Sequence, residues 1–107
     1  MLTEKDYCDY DTCVALKELG YPVIMAYGNP SIEIHLYEAQ KWLREEKCID
    51  IQIMISDYNL RWYYVEIYGN GFYKTLKNGY AIKNFITYEE ALLEGIKEAV
   101  KILKEEE

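Results

Sequence analysis

Ile49, Ile51, Ile53 and Ile55 alternate with Asp50, Gln52, Met54 and Ser56. A period of two predicts a strand with one buried and one more polar face. From Arg61 to Tyr68 the same alternation recurs, with Tyr63, Val65 and Ile67 on one face and Trp62, Tyr64, Glu66 and Tyr68 on the other. Gly69-Asn70-Gly71 then reads as a hairpin turn. A weaker strand is expected over Phe72–Leu76, a second turn at Asn78-Gly79, and residues 80–86 as a possible extension. Upstream, Val23–Tyr27 reads as a short apolar strand, Gly28-Asn29-Pro30 as a turn, and Ile32 and Ile34 as a short return strand.

Elsewhere the period changes to that of a helix. Leu92, Ile96, Ala99 and Leu103 recur at helical spacing, with Leu93 and Val100 widening the stripe and Glu94, Lys97, Glu98 and Lys101 on the wet side. This predicts a helix from about Tyr88 to Leu103. Thr87 and Glu90 form a T-x-x-E capping box at its start, and Ile86 could staple onto Ala91. A first helix is expected from about Tyr10 to Leu19, capped by Asp9 and stopped by Gly20 and Pro22, with Cys13, Leu16 and Leu19 inward. A middle helix is expected from about Leu36 to Lys47, with Leu36, Ala39 and Leu43 on one face and Trp42 beside them.

The order α-β-β-α-β-β-(β)-α gives an α+β class: a small antiparallel sheet with helices packed on one face. At 107 residues without linker, repeat or low-complexity stretch, one domain over 1–107 is expected. The opening residues are polar and acidic rather than those of a signal peptide, and no apolar run approaches the ~20 residues that cross a bilayer. The run Lys104–Glu107 reads as a solvated tail.

Charge narrows the classes of partner. Twelve basic against 19 acidic residues leave a formal net charge of −7, with the basic residues scattered. Phosphate backbones attract Lys and Arg, so general nucleic-acid binding is not expected. An acidic mimic of DNA would need its carboxylates on one face, and the scattered lysines argue against it. Tyrosine occurs 12 times, against two Phe and two Trp. Its apolar body and polar tip suit either the rim of a small core or an adhesive surface.

Candidate chemistry is sparse. Cys8, Cys13, Cys48 and His35 are zinc-ligand types, but structural zinc usually shows two close ligand pairs, and these residues do not. An odd number of cysteines suits free thiols in a reducing compartment, with Cys13 and Cys48 at core positions on helix edges. A Cys–His dyad would need an orienting group beside His35 that the sequence does not supply; a lone His at a helix start reads as a surface or capping residue. Asp9 and Asp11, like Glu89 and Glu90, stand at helix N-termini, where the dipole favours them without any chemistry. Gly69-Asn70-Gly71 is too short for a phosphate loop. No catalytic residue, metal or cofactor is therefore assigned.

Three stretches carry a resemblance: D-Y-D-T-C-V-A-L-K-E-L-G-Y near the start, A-Q-K-W-L-R-E-E-K from Ala39 to Lys47, and T-Y-E-E-A-L-L-E-G-I-K-E-A from Thr87 to Ala99. Together they resemble, in order and separation, a family of small proteins from Bacteroides-type gut bacteria, their phages and prophages. K-W-L-R-E is the most telling segment. The region from Gly69 to Ile86 has no counterpart, and His35 stands where that family often has a small capping residue. The resemblance implies a phage or mobile-element context and a cytoplasmic location in the host cell. It implies no activity and no site residues.

The remaining feature is the row Trp62, Tyr64, Glu66 and Tyr68 on the second sheet face. A one-layer sheet leaves that face open, and an aromatic row there can bind a protein partner or a second copy of the chain. The bland alternative is that residues 69–86 or another subunit cover it. The expected function is non-enzymatic protein binding by an accessory protein. The alternative is a small-molecule or nucleotide binder, or an enzyme, with a pocket between the sheet and residues 69–86.

Overall fold

The computed structural model of the chain describes residues 6–22, 34–55, 63–69, 71–76, 85 and 87–105. Among these residues, three helices, α1 (Tyr10–Glu18), α2 (Leu36–Lys47) and α3 (Tyr88–Glu105), accompany three strands, β1 (Asp50–Ile55), β2 (Tyr63–Gly69) and β3 (Phe72–Leu76). The strands form one antiparallel sheet in the order β1-β2-β3. The fold is a small α+β fold. The two strands expected between the first two helices, over Val23–Tyr27 and around Ile32, lie outside the described residues, as do Arg61, Trp62 and Ile86. Residues 77–84 lie outside them too, so the second turn and most of the expected extension do as well. At Phe85 a bridge to Tyr63 is present, with N–H···O bonds of 2.8 and 2.7 Å exchanged between the two residues.

Each helix is bounded by local chemistry. Asp9, in extended backbone, caps α1 by accepting the Thr12 N–H at 2.8 Å. Gly20 follows α1 with a φ of +106°, a left-handed conformation open to glycine. α2 begins at His35, whose Nδ1 accepts the Tyr37 N–H at 3.2 Å. It ends at Cys48, the one non-glycine residue with positive φ (57°) among the described residues, where the N–H groups of Cys48 and Ile49 both close on the Leu43 carbonyl. Ile49 thus ends the helix rather than starting the strand. At α3 the Glu90 N–H donates to the Thr87 hydroxyl at 3.1 Å, the hydroxyl half of the expected capping box.

The core lies between the helices and one face of the sheet. Leu16, Ile34, Leu36, Leu43, Ile51, Val65, Ile67, Leu92 and Ile96 are all 1% exposed or less. α3 contacts β1 and β2, α2 contacts α3 and β1, and α1 contacts α3. α3 crosses the sheet obliquely: Tyr88 meets Tyr63 at a ring separation of 5.9 Å, Gly95 stands over Ile51 and Val65, and Glu98 pairs with Lys74.

Four expectations are corrected. Ile55 shares the inward face of β1 but is 52% exposed, because the oblique path of α3 covers the Ile51 end of the strand. Cys48 is exposed rather than in the core, since it lies in the left-handed turn beyond Leu43, the last buried residue of α2. Glu98 is drawn in from the wet side by Lys74 on the inward face of β3. Lys104 and Glu105 continue α3 instead of belonging to a tail, and the Lys104 ammonium donates to Glu18 of α1 at 2.9 Å.

Candidate functional site

Strand register builds the second face of the sheet. Asp50 pairs with Tyr68, Gln52 with Glu66 and Met54 with Tyr64 across β1 and β2; Tyr68 pairs with Tyr73 and Glu66 with Thr75 across β2 and β3. Side chains of directly paired residues share a face. Three cross-strand rows therefore stand side by side: Asp50–Tyr68–Tyr73, Gln52–Glu66–Thr75 and Met54–Tyr64. The residues between them on β2, Val65 and Ile67, are fully buried under the helices, so these rows point the other way, and no described helix covers them.

Exposure grades along the rows. Tyr73 is 57% and Tyr68 38% exposed, while Tyr64 and Glu66 are half-buried. The rings of Tyr68 and Tyr73 are 5.0 Å apart and tilted by 50°. The Tyr68 hydroxyl leans along β2 and donates to Glu66 Oε2 at 2.5 Å. That hydrogen bond, followed by desolvation and the Glu66 charge, pushes the Tyr68 phenol up to about 12. The Thr75 hydroxyl donates to the Tyr73 oxygen at 2.8 Å, and Gln52 Nε2 donates to Asp50 Oδ2 at 2.9 Å. The hydroxyls of Tyr68 and Tyr73 are thus each tied to a neighbour on their own strand.

Of the four residues singled out from sequence, the structure gathers Tyr64, Glu66 and Tyr68 on one face; Trp62 lies outside the described residues. Tyr73 and Thr75 were missed. Their signal is the alternation in Phe72-Tyr73-Lys74-Thr75-Leu76, whose register against β2 is fixed only by the turn between them.

The other candidate groups are engaged differently. Cys8 and Cys13 are buried thiols outside any disulfide, and Cys13 Sγ donates to the Cys8 carbonyl at 3.6 Å. Burial, with Cys13 and Asp9 nearby, pushes the Cys8 thiol up to about 12, far from a nucleophilic thiolate at neutral pH. His35 has its Nδ1 committed to the α2 cap. Its ring belongs to an aromatic chain, Tyr7–His35–Tyr37–Tyr88–Tyr63, with successive centroids 5.3–6.1 Å apart. This chain ties the N-terminal bridge to the starts of α2, α3 and β2. Among the described residues, no three His, Cys, Asp or Glu side chains gather as a metal site would require, and no helix is long and apolar enough to cross a membrane. A shallow cleft of about 230 Å³ runs between α1 and α3, lined by Asp9, Asp11, Thr12, Ala15, Lys97 and Val100. The Lys97–Asp9 ion pair, at 3.0 Å, spans it.

Neither a family model, nor a curated protein, nor a solved structure matches this chain.

Proposed function

We propose that this protein is a non-enzymatic accessory protein that acts by binding another protein through the open sheet face formed by Tyr64, Glu66, Tyr68 and Tyr73, with Trp62 beside them in sequence. The observation that carries this reading is the Tyr68–Tyr73 pair: two large rings on a face that no described helix covers. Tyrosines in such a position combine contact area with few rotatable bonds and are frequent binding hot spots. The resemblance of its helical segments to proteins of gut bacteria, phages and prophages supports work in a bacterial cytoplasm in a phage or mobile-element setting.

Site-specific crosslinking tests the reading. A photoreactive phenylalanine analogue at position 68, introduced in the host bacterium, is expected to yield a discrete, saturable protein adduct. The same analogue at Glu45, on the exposed side of α2, is expected to yield none. Tyr73→Ala should weaken the adduct at position 68 at least fivefold. Absence of an adduct, or equal adducts at both positions, refutes the reading.

A further inference from the structure

Among the described residues, the sheet face carries charge of one sign only. Asp50 and Glu66 stand in adjacent cross-strand rows, and their described hydrogen-bond partners are neutral: the Gln52 amide and the Tyr68 hydroxyl. The described ion pairs all lie on the helix side: Lys74 with Glu98, Lys97 with Asp9 and Glu94, and Lys104 with Glu18. Among the described residues, then, no Lys or Arg compensates Asp50 or Glu66. Beside these carboxylates lie the exposed rings of Tyr68 and Tyr73.

Resting on the binding role above, we infer that the partner is a protein segment presenting arginine side chains. A guanidinium stacks flat on a tyrosine face and offers a planar fork of N–H donors to a carboxylate, so one arginine satisfies both features of the face. The row Asp50–Tyr68–Tyr73 places a carboxylate directly across from a ring, and Glu66 is held at the hydroxyl edge of that same ring. A lysine ammonium has no planar face to stack and no fork to pair with, which is the basis for discrimination. Adjacent rows are two residues apart along a strand, about 6.6 Å, so arginines at alternate positions of an extended segment match successive rows.

The test uses the full isotope-labelled chain and three probes: a heptapeptide alternating Gly and Arg, its Gly-Lys counterpart and its Gly-Glu counterpart. The Arg peptide is expected to shift the amide resonances of residues 64–68 and 73–75, at least threefold more tightly than the Lys peptide, with no response to the Glu peptide. Asp50→Asn with Glu66→Gln should weaken Arg-peptide binding at least tenfold while leaving the amide spectrum of the helices unchanged. Equal affinity for the Arg and Lys peptides, shifts spread over the acidic helices, or no shifts each overturn the inference. The crosslinked adduct at position 68 separates the two claims. An adduct that persists undiminished in the Asp50→Asn, Glu66→Gln chain leaves the face a binding surface and removes the arginine; loss of the adduct in the parent chain removes the binding role itself.

Discussion

Gly95 of α3 stands directly over Ile51 of β1, so close that a Cβ on residue 95 would lie 2.7 Å from Ile51 Cγ2 and 2.9 Å from Val65 Cγ1. The helix can lie on the sheet at this separation only because residue 95 has no side chain. Glycine inside a helix costs about 1 kcal/mol relative to alanine, and here that cost is offset by the contact it permits.

Gly95→Ala is therefore expected to destabilise the fold despite its better helix propensity. Overpacking of a dense core costs about 1–3 kcal/mol, against roughly 1 kcal/mol gained in propensity. Gly95→Val should be clearly worse. Chemical denaturation of the variants reads this directly. In a double-mutant cycle, Val65→Ala should soften the penalty at residue 95, because it removes one of the two methyl groups in the way. An additive cycle with no coupling would mean that the helix simply lifts away from the sheet.

Asp9 and Lys97 link acid sensitivity to the α1–α3 contact. Burial alone would raise the Asp9 carboxyl, but the hydrogen bonds from Thr12 and the Lys97 ammonium outweigh it and hold it below its ordinary value. Its folded value is thus below the unfolded one, so its contribution is fully present above about pH 4 and is lost as pH falls through the folded value. Lys97 is raised, chiefly by its hydrogen bond to Asp9, so its contribution is lost as pH rises above about 10.4 and through its folded value. Asp9→Asn keeps a capping oxygen and removes the charge. Because both side chains are 42% exposed, it should cost less than about 1 kcal/mol at neutral pH. The difference between wild type and variant should shrink toward pH 3, as measured by denaturant melts across pH.

Cys48 occupies a position that favours glycine. With φ 57° and ψ 35° it closes α2 in the left-handed region, where a Cβ is disfavoured. Cys48→Gly should stabilise the protein by about 0.5–1 kcal/mol, visible as a higher melting temperature. The same substitution should remove rapid thiol labelling of the native protein, since Cys48 is exposed while Cys8 and Cys13 are buried.

Helices were the most legible part of the sequence. The expected bounds of α2 agree with Leu36–Lys47, because the apolar face of Leu36, Ala39 and Leu43 is a local signal within the segment itself. The start of α3 was equally plain from Thr87. Its end was not, because Lys104 is held by Glu18, 86 residues away in sequence. The inward faces of β1 and β2 followed from alternation, yet Ile55 did not, since exposure there depends on the oblique path of α3. That path is set in part by Gly95, whose role no periodicity shows. The second sheet face was half legible: Tyr64, Glu66 and Tyr68 share one strand, whereas Tyr73 joins them only through the β2–β3 register. His35 read as a surface or capping residue and caps α2, while its place in a chain of five rings depends on tertiary contacts.

Ile67 and Tyr68 are neighbours on β2 with opposite surroundings, and this separates the proposed binding face from the core. Ile67 is fully buried beneath the helices, whereas Tyr68 is 38% exposed on the other side of the sheet. Ile67→Ala removes packed methyl groups and leaves a cavity, so it should cost about 2–5 kcal/mol. Tyr68→Ala loses a cross-strand contact with Tyr73 and a hydrogen bond to Glu66 at the surface. A cross-strand pair of this kind contributes about 0.2–1 kcal/mol, and Glu66 is then hydrated rather than stranded. Tyr68→Ala with Tyr73→Ala should therefore unfold at nearly the wild-type urea concentration and with an unchanged denaturant slope, while Ile67→Ala shifts the midpoint strongly downward. If the tyrosine double variant were as unstable as Ile67→Ala, the second face of the sheet would be a second core rather than a surface, and the binding role proposed for it would fall with that result.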